Sequence, residues 1–139
     1  MEEVLKFFES DCSQPWLVWI ATNDAKNQPH LAPVCFVRVL DGRIVIANNF
    51  IAKTVRNLKE NSKVAVAISK RLEGGFDGYL VKGRAEVQDQ GKYFEAIKNF
   101  VEEKSGGKRS PKSAVVVTPE EVYSLKPGEG RKRVFRWWF

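Results

Sequence analysis

Residues 30–61 read HLAPVCFVRVLDGRIVIANNFIAKTVRNLKEN. His30 to Leu40 is rich in β-branched and apolar residues, which predicts a strand. Asp41-Gly42 follows, a dipeptide suited to the left-handed backbone of a tight hairpin turn. Arg43 to Ala47 predicts the returning strand. The period then changes: Ile51, Val55 and Leu58 recur at helical spacing, behind two asparagines, Asn48 and Asn49, that stand where an N-cap is expected. Strand, hairpin, strand and helix therefore follow within one short stretch, and the first pairing is antiparallel.

The charges of that helix run against its dipole. A helix N-terminus carries partial positive charge and normally gathers Asp or Glu. Here the first two turns hold Lys53 and Arg56, and no acid comes before Glu60. Two readings fit. The cations are solvated on a surface helix, or the free N–H groups, Lys53 and the Thr54 hydroxyl form a cradle for an anion such as a phosphate monoester. The pattern GxxxxGK[ST] is absent, so this is no P-loop.

Working outward, Glu3 to Asp11 predicts a short helix and Trp16 to Ala21 a strand, with a turn-rich NDAKNQP at 23–29. Lys63 to Ile68 predicts a strand, 71–78 a glycine-rich loop, and Tyr79 to Val87 a half-buried strand. Residues 92–104 place Phe94, Ile97, Phe100 and Val101 on one helical face. A loop at 105–113 leads to a strand at Ala114–Val117 and another at Glu121–Leu125. Six or seven strands joined mostly by short turns, with two or three helices, predict a mainly β antiparallel barrel of Greek-key type. Helices do not alternate with strands, which argues against a doubly wound parallel sheet.

The 139 residues suit a single domain, 1–139, ending in a basic and aromatic tail, 126–139. With 43% hydrophobic residues the chain is not of a disordered class, and no apolar stretch reaches membrane-spanning length. The opening MEEVLK is unlike a signal peptide, and the expected compartment is the cytoplasm. Cys12 and Cys35 are too far apart for a CxxC motif and, with His30 the single histidine, too few for a structural zinc site. The simplest expectation is two free, reduced thiols, with a redox disulfide as the less supported alternative. The net charge of +6 favours anionic partners.

The segments WLVWIATNDAKNQPHLAPVCFVRVLDGRIVIANN, KTVRNL, SKVAVAI and GYLVKGRAEVQDQGKYFEAIKNF, in this order and spacing, resemble the FMN-binding split-barrel family, which includes pyridoxamine 5′-phosphate oxidases and small dimeric FMN-binding proteins. The resemblance implies FMN as cofactor, with Lys53 and Thr54 as the phosphate clamp and Asn48, Asn49 and Phe50 beside the ribityl chain and phosphate. It places the isoalloxazine along Ala32, Pro33, Val34 and Cys35, and implies a homodimer with FMN at the subunit interface. The function expected is electron transfer to or from a small molecule, in an oxidoreductase or in a flavin-binding electron carrier. The terminal RVFRWWF does not match the substrate-gripping segment of pyridoxamine phosphate oxidases, so the substrate is not given and no catalytic residue is named.

Other features have plainer readings. His30 lacks a readable base partner and reads as structural. Cys35 reads either as a neighbour of the flavin edge or as a small buried hydrophobe. The tail RKRVFRWWF (131–139) mixes cations and aromatics, which suits single-stranded nucleic acid in a cofactor-free barrel. Packing of Trp137 and Trp138 on the partner subunit or over the flavin is the preferred reading, and nucleic acid is not an expected partner.

Overall fold

The computed structural model describes residues 2–128 and the backbone of residues 133–136. The elements are α1 (Glu2–Lys6), β1 (Ser10–Asp11), β2 (Val18–Asn23), β3 (Pro29–Val34), β4 (Phe36–Leu40), β5 (Arg43–Asn48), α2 (Ala52–Glu60), β6 (Lys63–Leu72), β7 (Gly75–Gln88), α3 (Lys92–Lys104), β8 (Ser113–Ser124) and β9 (Arg133–Arg136). All pair antiparallel in one curled sheet of order β1-β4-β5-β8-β7-β6-β2-β3, with β9 alongside β8. This is the mainly β, antiparallel class that the sequence predicts, as a half-barrel with three helices and, among the described residues, nine strands where six or seven are expected.

The departures have local causes. The run from His30 to Leu40 is two strands, because the chain changes partners at Cys35: β3 pairs with β2, and β4 with β5 and β1. Pro29 and Pro33 supply no N–H, which suits β3 as an edge strand. Residues 71–78 are not a loop. β6 and β7 pair out to Leu72↔Gly75, around a turn at Glu73-Gly74. The two late strands are one, β8, whose pairing with β7 shifts register between Lys82 and Gly83. Gly83 lies so close to β8 that a Cβ there would come 2.2 Å from the Thr118 carbonyl oxygen. Leu40 pairs with Arg43 around Asp41 and Gly42 at φ +53° and +71°, the predicted hairpin turn. The predicted first helix stops at Lys6 and gives way to β1. Trp137, Trp138, Phe139 and residues 129–132 of the tail lie outside the described residues.

Two clusters fill the fold. Inside the barrel pack Leu5 and Phe8 of the N-terminal segment, Val18, Ile20, Ala32, Val34, Ile44, Ile46, Val66 and Val81, with Ile51, Val55 and Leu58 of α2. On the outer face, α3 lays Ile97 and Val101 on Phe36, Val45 and Val116. The turn is tied to α3 as well: Tyr93 Oη donates to Asp41 Oδ2 at 3.1 Å, and Lys92 Nζ lies 2.6 Å from the same oxygen. Among the described residues no helix is long and apolar enough to cross a membrane.

The cysteines correct the expectation of free thiols: Cys12 and Cys35 form a disulfide, with Cα atoms 4.5 Å apart. The cause is register. Pairs Ser10↔Val37 and Asp11↔Phe36 make Cys12 and Cys35 the next rung of the same ladder, a proximity that their separation of 23 positions conceals. The bridge joins β1 to the corner between β3 and β4, where the two free ends of the sheet approach each other. Replacing Cys12 with Ser is expected to lower unfolding free energy by about 3 kcal/mol, the entropy of a loop this long. Urea denaturation with and without reductant checks this, and the loss should match that of the reduced native chain.

Candidate functional site

α2 leaves the end of β5 through Asn48-Asn49-Phe50. The expected asparagine cap is not there: the N-cap is Ile51, and no side chain caps the helix. Asn48 is used elsewhere. Its Nδ2 donates to Ser113 Oγ at 2.9 Å, and its carbonyl accepts the Lys112 N–H at 3.0 Å, fixing the start of β8 against the end of β5. Asn49 is half-buried and Phe50 exposed. Ile51 turns inward into the core, and its carbonyl accepts the first helical bond, from Val55 N–H at 3.0 Å. The side chain that would normally cover the free N–H groups of the first turn is missing, and no acid stands in that turn.

Lys53 and Thr54 follow at once. The Lys53 side chain is 42% exposed, and its Nζ lies 4.0 Å from Asp24 Oδ2, a loose pair. Asp24 sits in the β2–β3 turn, where its Oδ1 accepts N–H groups of Gln28 at 2.9 Å and Lys26 at 2.8 Å. Those two bonds, chiefly, and then the nearby Lys53 cation hold its carboxyl below the usual value. Thr54 is fully buried, and its Oγ1 has no hydrogen-bond partner. A buried hydroxyl without a partner costs free energy. One turn on, buried Asn57 donates from Nδ2 to Thr22 Oγ1 at 3.1 Å, locking α2 to β2.

The expected ring-binding residues divide by face. Ile20↔Ala32 and Val18↔Val34 are inward pairs, so Ala32 and Val34 belong to the barrel core. Trp19↔Pro33 and Ala21↔Leu31 are outward pairs. Any contact of Ala32 and Val34 with a ligand on the outside is therefore through backbone, which β3 offers along its free edge. Cys35 is engaged in the disulfide, so it is neither a free thiol at a flavin edge nor a simple buried hydrophobe. His30 pairs with Thr22 across β2–β3 and is half-buried. Among the described residues no cluster of His, Cys, Asp and Glu could hold a metal. Sequence reading missed Asp24, whose Asx-type turn was the available signal, and Leu31, which the alternation of β3 places beside Pro33.

Two grooves of about 490 Å³ each flank this region. One is lined by Ala21, Asn23, Pro29, Lys63, Ala65 and Lys82 among others, on the outer face of the sheet. The other is lined by Asn48, Val55, Leu58, Lys59, Lys112 and Ser113 with part of β7. Neither wall includes Lys53 or Thr54.

The family model for pyridoxamine 5′-phosphate oxidase matches residues 1–126. The chain belongs to the pyridoxamine 5′-phosphate oxidase family. It is 35% identical over 130 residues to an uncharacterised protein of Methanocaldococcus jannaschii, covering 91% of this chain and 81% of that one. It is 33% identical over 91 residues to the FMN-binding protein of Nitratidesulfovibrio vulgaris, covering 60% and 74%. The crystal structure of Group A Streptococcus HupZ superposes with a TM-score of 0.73 at 29% identity, covering 92% of this chain and 95% of that one. At fold level only, an FMN-binding protein of Syntrophomonas wolfei (TM-score 0.74, 18% identity, 90% and 83% covered) and a heme binding protein of Mycobacterium smegmatis (0.69, 18%, 95% and 55%) share the architecture. The fold thus occurs in proteins described as binding FMN and in one described as binding heme.

Two substitutions separate the roles of the buried polar groups. Thr54→Val removes an unpaired hydroxyl at constant shape and is expected to leave the ligand-free protein as stable or about 1 kcal/mol more stable. Asn57→Ala leaves Thr22 unpartnered and opens a gap, and is expected to cost about 2–3 kcal/mol. Urea denaturation of the ligand-free variants reads both.

Proposed function

We propose that the protein is an FMN-binding flavoprotein. The FMN phosphate is received at the start of α2 by Lys53, Thr54 and the first-turn N–H groups, and the ring lies on the free edge and outer face of β3. The observation that carries the reading is the fully buried Thr54 Oγ1 without a partner beside Lys53, at a helix start that no side chain caps. A phosphate oxygen would complete that hydroxyl, and the helix dipole would favour it. The residues present fit FMN. When bound, FMN supplies hydride and single-electron chemistry, and this chain binds and orients it. Asn48 and Ser113 hold the loop before α2 in place, with Phe50 exposed beside it.

The reading includes a homodimer. Trp19 is 40% and Leu31 60% exposed, and with Pro33 they make an apolar strip on the face proposed for the ring. A second copy on that strip would cover the strip and the flavin together. The small-molecule redox partner follows from the flavin and has no residues assigned to it. The proposal also places the protein in the cytoplasm, where the Cys12–Cys35 bridge would meet reducing thiols.

The test is a spectrum and a titration. Purified protein is expected to show flavin absorption bands, or to take up FMN saturably with quenching of its fluorescence. Lys53→Ala removes a charge-assisted contact worth about 1.5–3 kcal/mol and should weaken FMN by about tenfold or more. Thr54→Val should weaken FMN by several fold without loss of stability. A heme Soret band in place of flavin bands, or no FMN binding at micromolar concentration, would overturn the reading.

A further inference from the structure

Phe50 is 83% exposed, the highest value among the exposed large hydrophobic residues that the structure describes. It immediately precedes the N-cap of α2, and one contact marks it: the Arg109 guanidinium lies 5.7 Å from its ring centroid. The loop that carries Arg109 is built to hold it there. Ser105 Oγ accepts the Arg109 N–H at 3.0 Å and donates to the Arg109 carbonyl at 3.4 Å. Three residues on, Lys112 N–H is bonded to the Asn48 carbonyl, and Ser113 to the Asn48 side chain. The 105–113 loop and the Asn48–Phe50 turn are thus one unit. Among the described residues no carboxylate forms an ion pair with Arg109.

The charge around this unit exceeds what one phosphate monoester needs. Residues 104–113 contain Lys104, Lys108, Arg109 and Lys112 and no acid, and they lie against the turn that leads into Lys53 and Arg56. An exposed ring with a cation over one face has its other face open for a planar group. A ring for stacking, a guanidinium for a phosphate, and a second phosphate site a few residues away are the parts that recognise a nucleotide joined through a pyrophosphate.

We infer that Phe50 and Arg109 form a second subsite, for the ADP moiety of an adenine dinucleotide. The adenine stacks on the Phe50 ring and Arg109 meets the phosphate farther from the flavin or nicotinamide. The inference rests on the proposed phosphate site at α2, which holds the nearer phosphate of FAD; NAD(P)H on the FMN-loaded protein would meet Phe50 and Arg109 alone, because the FMN phosphate fills the α2 site. The same ADP chemistry occurs in FAD, as an extension of the bound flavin, and in NAD(P)H, as the electron donor.

Four ligands test it by calorimetry on the full chain: ADP, FMN, FAD and NADPH, the last with and without saturating FMN. ADP alone is expected to bind saturably, and Arg109→Gln and Phe50→Ala each to weaken it by about tenfold, the scale of one lost stacking or charged contact. If FAD is the source, FAD binds more tightly than FMN and Arg109→Gln removes that advantage while leaving FMN affinity unchanged. If NADPH is the source, it binds the FMN-loaded protein and Arg109→Gln weakens it. ADP binding that depends on Arg109 in a protein that takes no flavin would support the subsite and remove the FMN reading. Absence of ADP binding, or equal weakening of FMN and FAD by Arg109→Gln, would overturn the subsite and leave the FMN reading standing. Both side chains are exposed or loop-borne, and thermal denaturation of each variant should match the parent.

Discussion

The fold turns on the corner at Cys35, where one apolar run leaves β2 as a partner and takes up β5. Before that residue the chain belongs to the far edge of the sheet, and after it to the opposite end. Because β3 and β4 are consecutive in sequence yet have five strands between them in the sheet, the sheet must curl until its two ends meet. The curl encloses the barrel core, and it leaves β3 with a free edge. The Cys12–Cys35 bridge closes the same corner covalently, one rung beyond the two residue pairs of β1 and β4.

The candidate site is a consequence of that geometry. α2 packs Ile51, Val55 and Leu58 into the core, with Asn57 bonded to Thr22 of β2. This anchorage fixes which way the first turn faces. It also buries Thr54, so the missing partner of its hydroxyl is a property of the packed helix and not of a mobile side chain. The local electrostatics agree. The acid that pairs with Lys53, Asp24, is committed to two backbone N–H groups of its own turn and reaches Lys53 only at 4.0 Å. The cation is therefore weakly paired, at the end of the helix where an anion is favoured.

Much of this was legible in the sequence, and the failures are instructive. The Asp-Gly turn, the two long helices and the antiparallel sheet were readable because hydrophobic period and turn chemistry are local signals. Lys53 and Thr54 stood out because their charge pattern contradicts the dipole rule. The split at Cys35 was not readable, since no residue there breaks a strand. The disulfide was equally hidden, since register is a property of the paired strands. The expected asparagine cap failed for a related reason: Asn48 is drawn into a buried bond with Ser113, a residue 65 positions away. The alternation of β3 divides Ala32 and Val34 from Pro33, although the sequence reading treated them as one lining.

The most direct test of the phosphate cradle compares FMN with riboflavin, which has the same ring and ribityl chain and no phosphate. With Lys53, the first-turn N–H groups and Thr54 acting on the phosphate, FMN should bind at least about thirtyfold more tightly at low salt, and Lys53→Ala should remove most of the difference. Equal affinities for FMN and riboflavin would contradict the account, because the start of α2 would then have no anion to receive.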